Sequence, residues 1–125
     1  SALLFVVTVC VAAAWLFWPT SNTMVRAAKA GDLSTMKWCQ RLGVSLEGLE
    51  RWGWNGHAQG KTPLTAAAFA GQDAAVAWLI ENGANVNQVD GFNSTAIINA
   101  VCGNRLSTCR LLLVAGARPN LVVKR

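Results

Sequence analysis

Between Gly60 and Asp90 the apolar residues fall into two short runs with helical spacing. Leu64, Ala67 and Ala68 share one face of the first, while Val76, Leu79 and Ile80 recur at three and four residues in the second. Pro63 suits the first position of a helix, where its missing N–H is not needed. Gly83 follows the second run, where a left-handed residue can end a helix. The pattern predicts two short helices joined by a tight turn, neither able to bury its apolar face alone.

The same pattern returns at a constant offset: Thr62 with Thr95, Leu64 with Ile97, Ala67 with Ala100, Val76 with Cys109, Leu79 with Leu112, Gly83-Ala84 with Gly116-Ala117. A weaker copy precedes it at a longer but equally constant offset, pairing Ala27, Gly31, Met36, Trp38 and Gly43 with Ala67, Gly71, Val76, Trp78 and Gly83. Units that cannot close their own cores must stack, so these copies predict a solenoid.

Thr62-Pro63-Leu64, Gly71 and the run from Val76 to Gly83-Ala84 make the chain resemble the ankyrin repeat family. The later copy departs from that pattern, with Ala96 in place of the proline and Asn104 in place of the glycine. The resemblance implies an all-α ankyrin-repeat solenoid of about three helix-turn-helix repeats, at residues 22–48, 60–90 and 93–122. It also implies protein binding through a concave groove and finger tips.

Residues 1–18 break the pattern, because they carry no charge. Ala2 to Trp18 would make about 26 Å of helix, close to the roughly 30 Å hydrocarbon layer. Trp15 and Trp18 suit the headgroup region and Pro19 stops the helix. A secretory leader would show a basic start and a small-residue cleavage site, and neither is clear. The expectation is a single transmembrane helix over residues 1–19 ahead of a repeat domain over 20–125. Arg26, Lys29 and Lys37 follow it, so positive-inside logic puts the domain in the cytoplasm, and a basic leader before Ser1 would reverse that to the periplasm.

The connection from Gly43 to Thr62 is seven residues longer than that from Gly83 to Thr95, which makes 49–59 an inserted finger. Trp52 and Trp54 alternate around Gly53, so both indoles would point to one side of an extended finger. Arg51, Trp52, Trp54, Asn55 and His57 are its candidate partner contacts. The competing reading folds the indoles over the first repeat or into the headgroup layer. His57 aligns with Asp90 at the head of the next turn, and a side chain bonding turn backbone accounts for it better than a base or metal ligand. No second histidine or carboxylate pair accompanies it.

The groove is expected to be lined by Val25, Lys29, Thr65, Phe69, Ile98 and Cys102, the outward positions of the first helices. Lys29, Phe69 and Ile98 are its candidate contacts, with Phe69 as anchor. Trp38 and Trp78 hold matching core positions. Cys39 replaces a core leucine. Cys102 and Cys109 face each other across a turn, more simply read as buried thiols than as a disulfide.

The net charge of +5 changes the picture only at the C-terminal end. Acids and bases cancel over residues 26–90, while Arg105, Arg110, Arg118, Lys124 and Arg125 form a basic patch without an acid. An acidic partner or simple solubility fits it. Nucleic acid does not, since no aromatic stripe or reading helix accompanies the charge. The solenoid ends should be blunted, and Arg26 and Asn99 take the place of Ala66 in the first and last repeats. Val114 instead puts a hydrophobe where Arg41 and Glu81 stand.

No catalytic residue, metal site or cofactor is expected. The function expected is a membrane-anchored protein-binding module, an accessory subunit of a membrane complex. The alternative is an immunity-type inhibitor or protector of a toxin or enzyme acting at the membrane.

Overall fold

A computed structural model describes residues 2–4, 20–49 and 60–118. From residue 20 onward the described elements are α1 (Ser21–Ala30), α2 (Leu33–Arg41), α3 (Pro63–Ala70), α4 (Asp73–Glu81), α5 (Ala96–Cys102) and α6 (Leu106–Val114). They form three helix-turn-helix pairs, as the periodicity predicts, and no strand occurs among the described residues.

Local chemistry sets the helix ends. Thr62 and Thr65 cap α3 reciprocally: Thr65 N donates to Thr62 Oγ1 at 3.2 Å and Thr62 N to Thr65 Oγ1 at 2.8 Å. Pro63 follows at the first helical position. In α5 the partner position of Thr65 is Ile98, which has no donor or acceptor to give. The Thr95 hydroxyl is consequently buried without a hydrogen bond. The inter-helix turns need a left-handed residue, supplied by Gly31 (φ 74°), Gly71 (φ 75°) and Asn104 (φ 56°). Asparagine tolerates that region better than most side chains, which explains its substitution for glycine.

Helices α1, α3 and α5 pack side by side in one layer, and α2, α4 and α6 form a second. Small residues at the first layer's contacts, among them Ala28, Ala67, Ala68, Ala96 and Ala100, let the helices approach closely. Met24, Met36, Val76, Leu79 and Leu112 fill the core. Each such leucine contributes about 1.5–3 kcal/mol by burial.

The junctions between repeats reuse two hydrogen bonds at equivalent positions. Gln72 Nε2 donates to Lys29 O at 3.3 Å, and one repeat later Arg105 Nε donates to Phe69 O at 3.3 Å. Each donor side chain lies across the preceding turn glycine. A Cβ on Gly31 would meet Gln72 Oε1 at 2.6 Å, and one on Gly71 would meet Arg105 Cδ at 2.6 Å. Farther out, Glu47 Oε1 accepts from Asn85 N at 2.7 Å and Asn87 Oδ1 from Arg118 N at 2.9 Å. Thr108, fully buried, donates its hydroxyl to Asp73 in the same direction.

Four expectations need correction. Val25 and Thr65 are buried rather than groove-facing, because each inner helix is covered by its neighbours in the layer as well as by its own partner helix. Trp38 is 46% exposed, since among the described residues α2 has a layer neighbour on one side only, whereas Trp78 on the central α4 is half-buried against the core. Asn99 is buried and does not blunt the solenoid end. Cys102 is exposed, Cys109 half-buried, and both are free thiols.

The expected membrane span lies outside the described residues except for 2–4, which are helical and exposed. Among the described residues no helix is long and apolar enough to cross a membrane.

Candidate functional site

Lys29, Phe69 and Cys102 occupy equivalent places near the C-terminal ends of α1, α3 and α5, and all three are exposed. With Val25 and Thr65 buried, the open strip of the inner layer is narrower than expected and runs along these helix ends. Phe69 is its large apolar member, 41% exposed. Ile98 is half-buried.

Phe69 is not alone. Lys61, in the turn before α3, holds its Nζ 4.8 Å from the centroid of the Phe69 ring and 5.5 Å from that of Phe92, in the following turn. The same ammonium donates to Asn99 Oδ1. Asn99 Nδ2 in turn donates to Thr95 O at 2.9 Å and to Asp90 Oδ2 at 3.3 Å. The other Asp90 oxygen, Oδ1, accepts from Phe92 N at 2.9 Å and Ser94 N at 3.1 Å, shaping the turn that carries Phe92. Gly91 N donates to Gly60 O at 2.9 Å, tying that turn to the one holding Lys61.

The arrangement has a clear physical logic. Asp90 is buried and needs donors on both oxygens. It receives backbone N–H groups on one and the Asn99 amide on the other, and the amide's remaining oxygen orients Lys61. A lysine ammonium has three donors, so fixing one leaves two. The result is an oriented cation beside two exposed aromatic rings, able to contact an apolar side chain and a carbonyl or carboxylate of a bound chain together. Among the described residues no cluster of His, Cys, Asp and Glu could hold a metal ion.

Sequence reasoning found Phe69 but missed Lys61, Phe92 and the Asp90–Asn99 pair. The available signal was Asn99 itself, a polar residue at a position held by alanine in the repeat before. Its burial depends on the neighbouring turn, which helix periodicity does not reveal. Asp90 does perform the turn-bonding role assigned to its aligned partner His57. Arg51, Trp52, Trp54, Asn55 and His57 lie outside the described residues, as do Lys124 and Arg125. Arg110 and Arg118 are exposed, while Arg105 is tethered back to Phe69 O. Elsewhere, burial pushes the Cys39 thiol above its ordinary pKa, consistent with an unreactive core residue.

A family model described as ankyrin repeats, three copies, matches residues 24–122. The chain is 32% identical over 98 residues to the putative ankyrin repeat protein YahD of Escherichia coli, covering 78% of this chain and 45% of that protein. Among solved structures it resembles the human ASB11 ankyrin repeat domain, with a TM-score of 0.67, 28% identity, and coverage of 79% of this chain and 42% of that one. The chain thus spans less than half the length of either relative.

Proposed function

We propose, for a chain that belongs to the ankyrin repeat family, a protein-binding role carried by the strip around Phe69. Ankyrin repeats are protein-interaction modules, generally without enzymatic activity, and that much comes with the family. The finer reading is that Phe69, Lys61 and Phe92 form the central contact, with Trp52 and Trp54 of the inserted finger as further contacts. Residues 1–19 anchor the module in a membrane, where confinement raises its concentration near a membrane-bound partner. The role is then that of an accessory subunit in a membrane complex.

One observation carries the reading: an exposed Phe69 held against an oriented lysine by a buried network that reaches Asp90. The test is co-purification of the intact chain from its native membranes beside Phe69→Ala and a Trp52→Ala, Trp54→Ala double variant. Loss of a stoichiometric companion from either variant, with unchanged circular dichroism, supports the reading. A companion retained in full by both sinks it. Carbonate extraction of the membranes tests the anchor separately, since release of the chain into the supernatant contradicts it.

A further inference from the structure

The turn that closes α4 carries a chemistry its counterparts lack. In each repeat the second helix runs into a glycine in the left-handed region, Gly43 (φ 85°), Gly83 (φ 92°) and Gly116 (φ 99°). The residue before that glycine is Leu42 in the first repeat and Ala115 in the third, but Asn82 in the middle one. In an Asn-Gly pair the glycine nitrogen can attack the preceding side-chain amide with little hindrance, because glycine has no Cβ to obstruct the ring that forms. Asn82 is exposed to the water that completes such a reaction, and among the described residues nothing lies within 4 Å of where a Gly83 Cβ would stand. Three hydrogen bonds hold the reacting groups in place. Asn82 Nδ2, the leaving amine, donates to Trp78 O at 2.7 Å, Asn82 Oδ1 accepts from Gln40 Nε2 at 2.9 Å, and Gly83 N, the attacking atom, donates to Ile80 O at 3.1 Å. Two of these stay within α4 and its end. The Gln40 bond comes from α2, one repeat away, and Gln40 is replaced by Ile80 and Leu113 at the equivalent positions of the later repeats.

We propose that Asn82-Gly83 is a latent deamidation site held in check by Gln40 of the preceding repeat. When the carboxamide is released, Gly83 N bonds to Asn82 Cγ, the Cγ–Nδ2 bond breaks, and the amine leaves as ammonia with the proton from Gly83 N. Water then opens the cyclic imide at either carbonyl, giving aspartate or isoaspartate. Both products mark the junction irreversibly. Aspartate loses the donor that fixed the side chain on Trp78 O and puts a negative charge at the C-terminal end of α4, where the helix dipole disfavours it. Isoaspartate adds a backbone carbon just before the turn that lets Ala84 N reach Leu79 O at 3.0 Å. Nothing in this chemistry depends on the strip around Phe69.

The full chain in neutral-lipid nanodiscs is incubated at mildly alkaline pH and sampled over time, with the same chain unfolded in urea as the reference. Peptide mapping by mass spectrometry follows Asn82 separately from Asn55, which precedes the chain's other Asn-Gly glycine and lies outside the described residues. Enzymatic methyl labelling counts the isoaspartate. Asn82 in the folded chain should convert at least about tenfold more slowly than in urea, since only local opening frees it. Gln40→Met keeps the length of the side chain and removes the donor, and should raise the folded-state rate several-fold. Gln72→Met removes another amide bond across the same junction, to Lys29 O, without touching Asn82, and should leave the rate at the wild-type value. Gln40 is exposed, and circular dichroism checks that both variants stay folded. A folded-state rate equal to that in urea, or an unchanged rate in Gln40→Met, overturns the proposal. So does an equal rise in Gln72→Met, because general loosening of the junction then accounts for the effect.

Discussion

Replacing Asn99 by alanine tests whether the buried network holds the candidate site together. Ala66 fills the equivalent position one repeat earlier, so the smaller side chain fits the helix. Three hydrogen bonds disappear. The one to Thr95 O matters little, since Asn99 N still donates to that carbonyl at 3.1 Å. Lys61 is only half-buried and can turn to water. Asp90 cannot: its carboxylate is buried, and Oδ2 loses the Asn99 amide while Oδ1 keeps Phe92 N and Ser94 N. Leaving a buried acceptor short of a donor costs about 1–3 kcal/mol. Alanine's better helix propensity returns roughly 0.5 kcal/mol. The net loss should be about 1–2 kcal/mol. With a urea m-value of about 2 kcal/mol/M, the unfolding midpoint followed by circular dichroism should fall by roughly 0.5–1 M. In an Asp90→Asn background the fall should shrink, because the buried charge is gone. An unchanged midpoint, or an equal fall in both backgrounds, would refute the reasoning.

Three further outcomes follow from particular contacts. Gly71→Ala should cost about 1–2 kcal/mol for the left-handed backbone plus a further increment from displacing Arg105, whereas Gly83→Ala, with open space around it, should cost the backbone share alone; equal urea midpoints would remove Arg105 from the account. Thr95→Val should be neutral or stabilising by up to about 1 kcal/mol, since its hydroxyl is buried unbonded, while Thr62→Val should cost about 1–2 kcal/mol by breaking a reciprocal cap; thermal melts of both variants decide it. Asp32, fully exposed, is held below the ordinary carboxylate range chiefly by the Thr35 hydroxyl and then by Thr35 N, so it stabilises α2 above its unfolded pKa and that contribution fades as pH falls through the folded pKa. Wild type should therefore lose its thermal advantage over Asp32→Ala on acidification, and an advantage that persists at the lowest pH would contradict the assignment.

The repeat was legible because its signal is local and redundant. Thr62-Pro63-Leu64, the glycine at 71 and the stripe from Val76 to Ile80 each state the same helix-turn-helix independently. Their recurrence at a fixed offset multiplies the evidence for each element. Element boundaries followed for the same reason, since Pro63, Thr95 and the left-handed turn residues act on their own stretch of backbone. The longer offset to the first copy also located the extended connection that bears Trp52 and Trp54. Even the exchange of glycine for Asn104 was visible, and only its φ of 56° had to come from coordinates.

Burial was a different matter, because a residue's exposure depends on what the neighbouring repeat places over it. Thr65, on an outward arc of an isolated helix, disappears beneath the flanking layer, and Val101, at the position of the fully buried Ala68, stays open because no described helix follows. Trp38 and Trp78 share a position and differ in exposure for the same reason. The site shows the limit most clearly. Lys61, Phe69, Asp90, Phe92 and Asn99 come from three separate segments, and no spacing rule joins them. Sequence by itself determined the repeating unit, its helices and the charge carried by its last copy, since these depend on near neighbours along the chain. Tertiary structure decided which side chains meet, because stacking brings together residues a full repeat apart, and it is those meetings that hold Lys61 against Phe69 and Phe92.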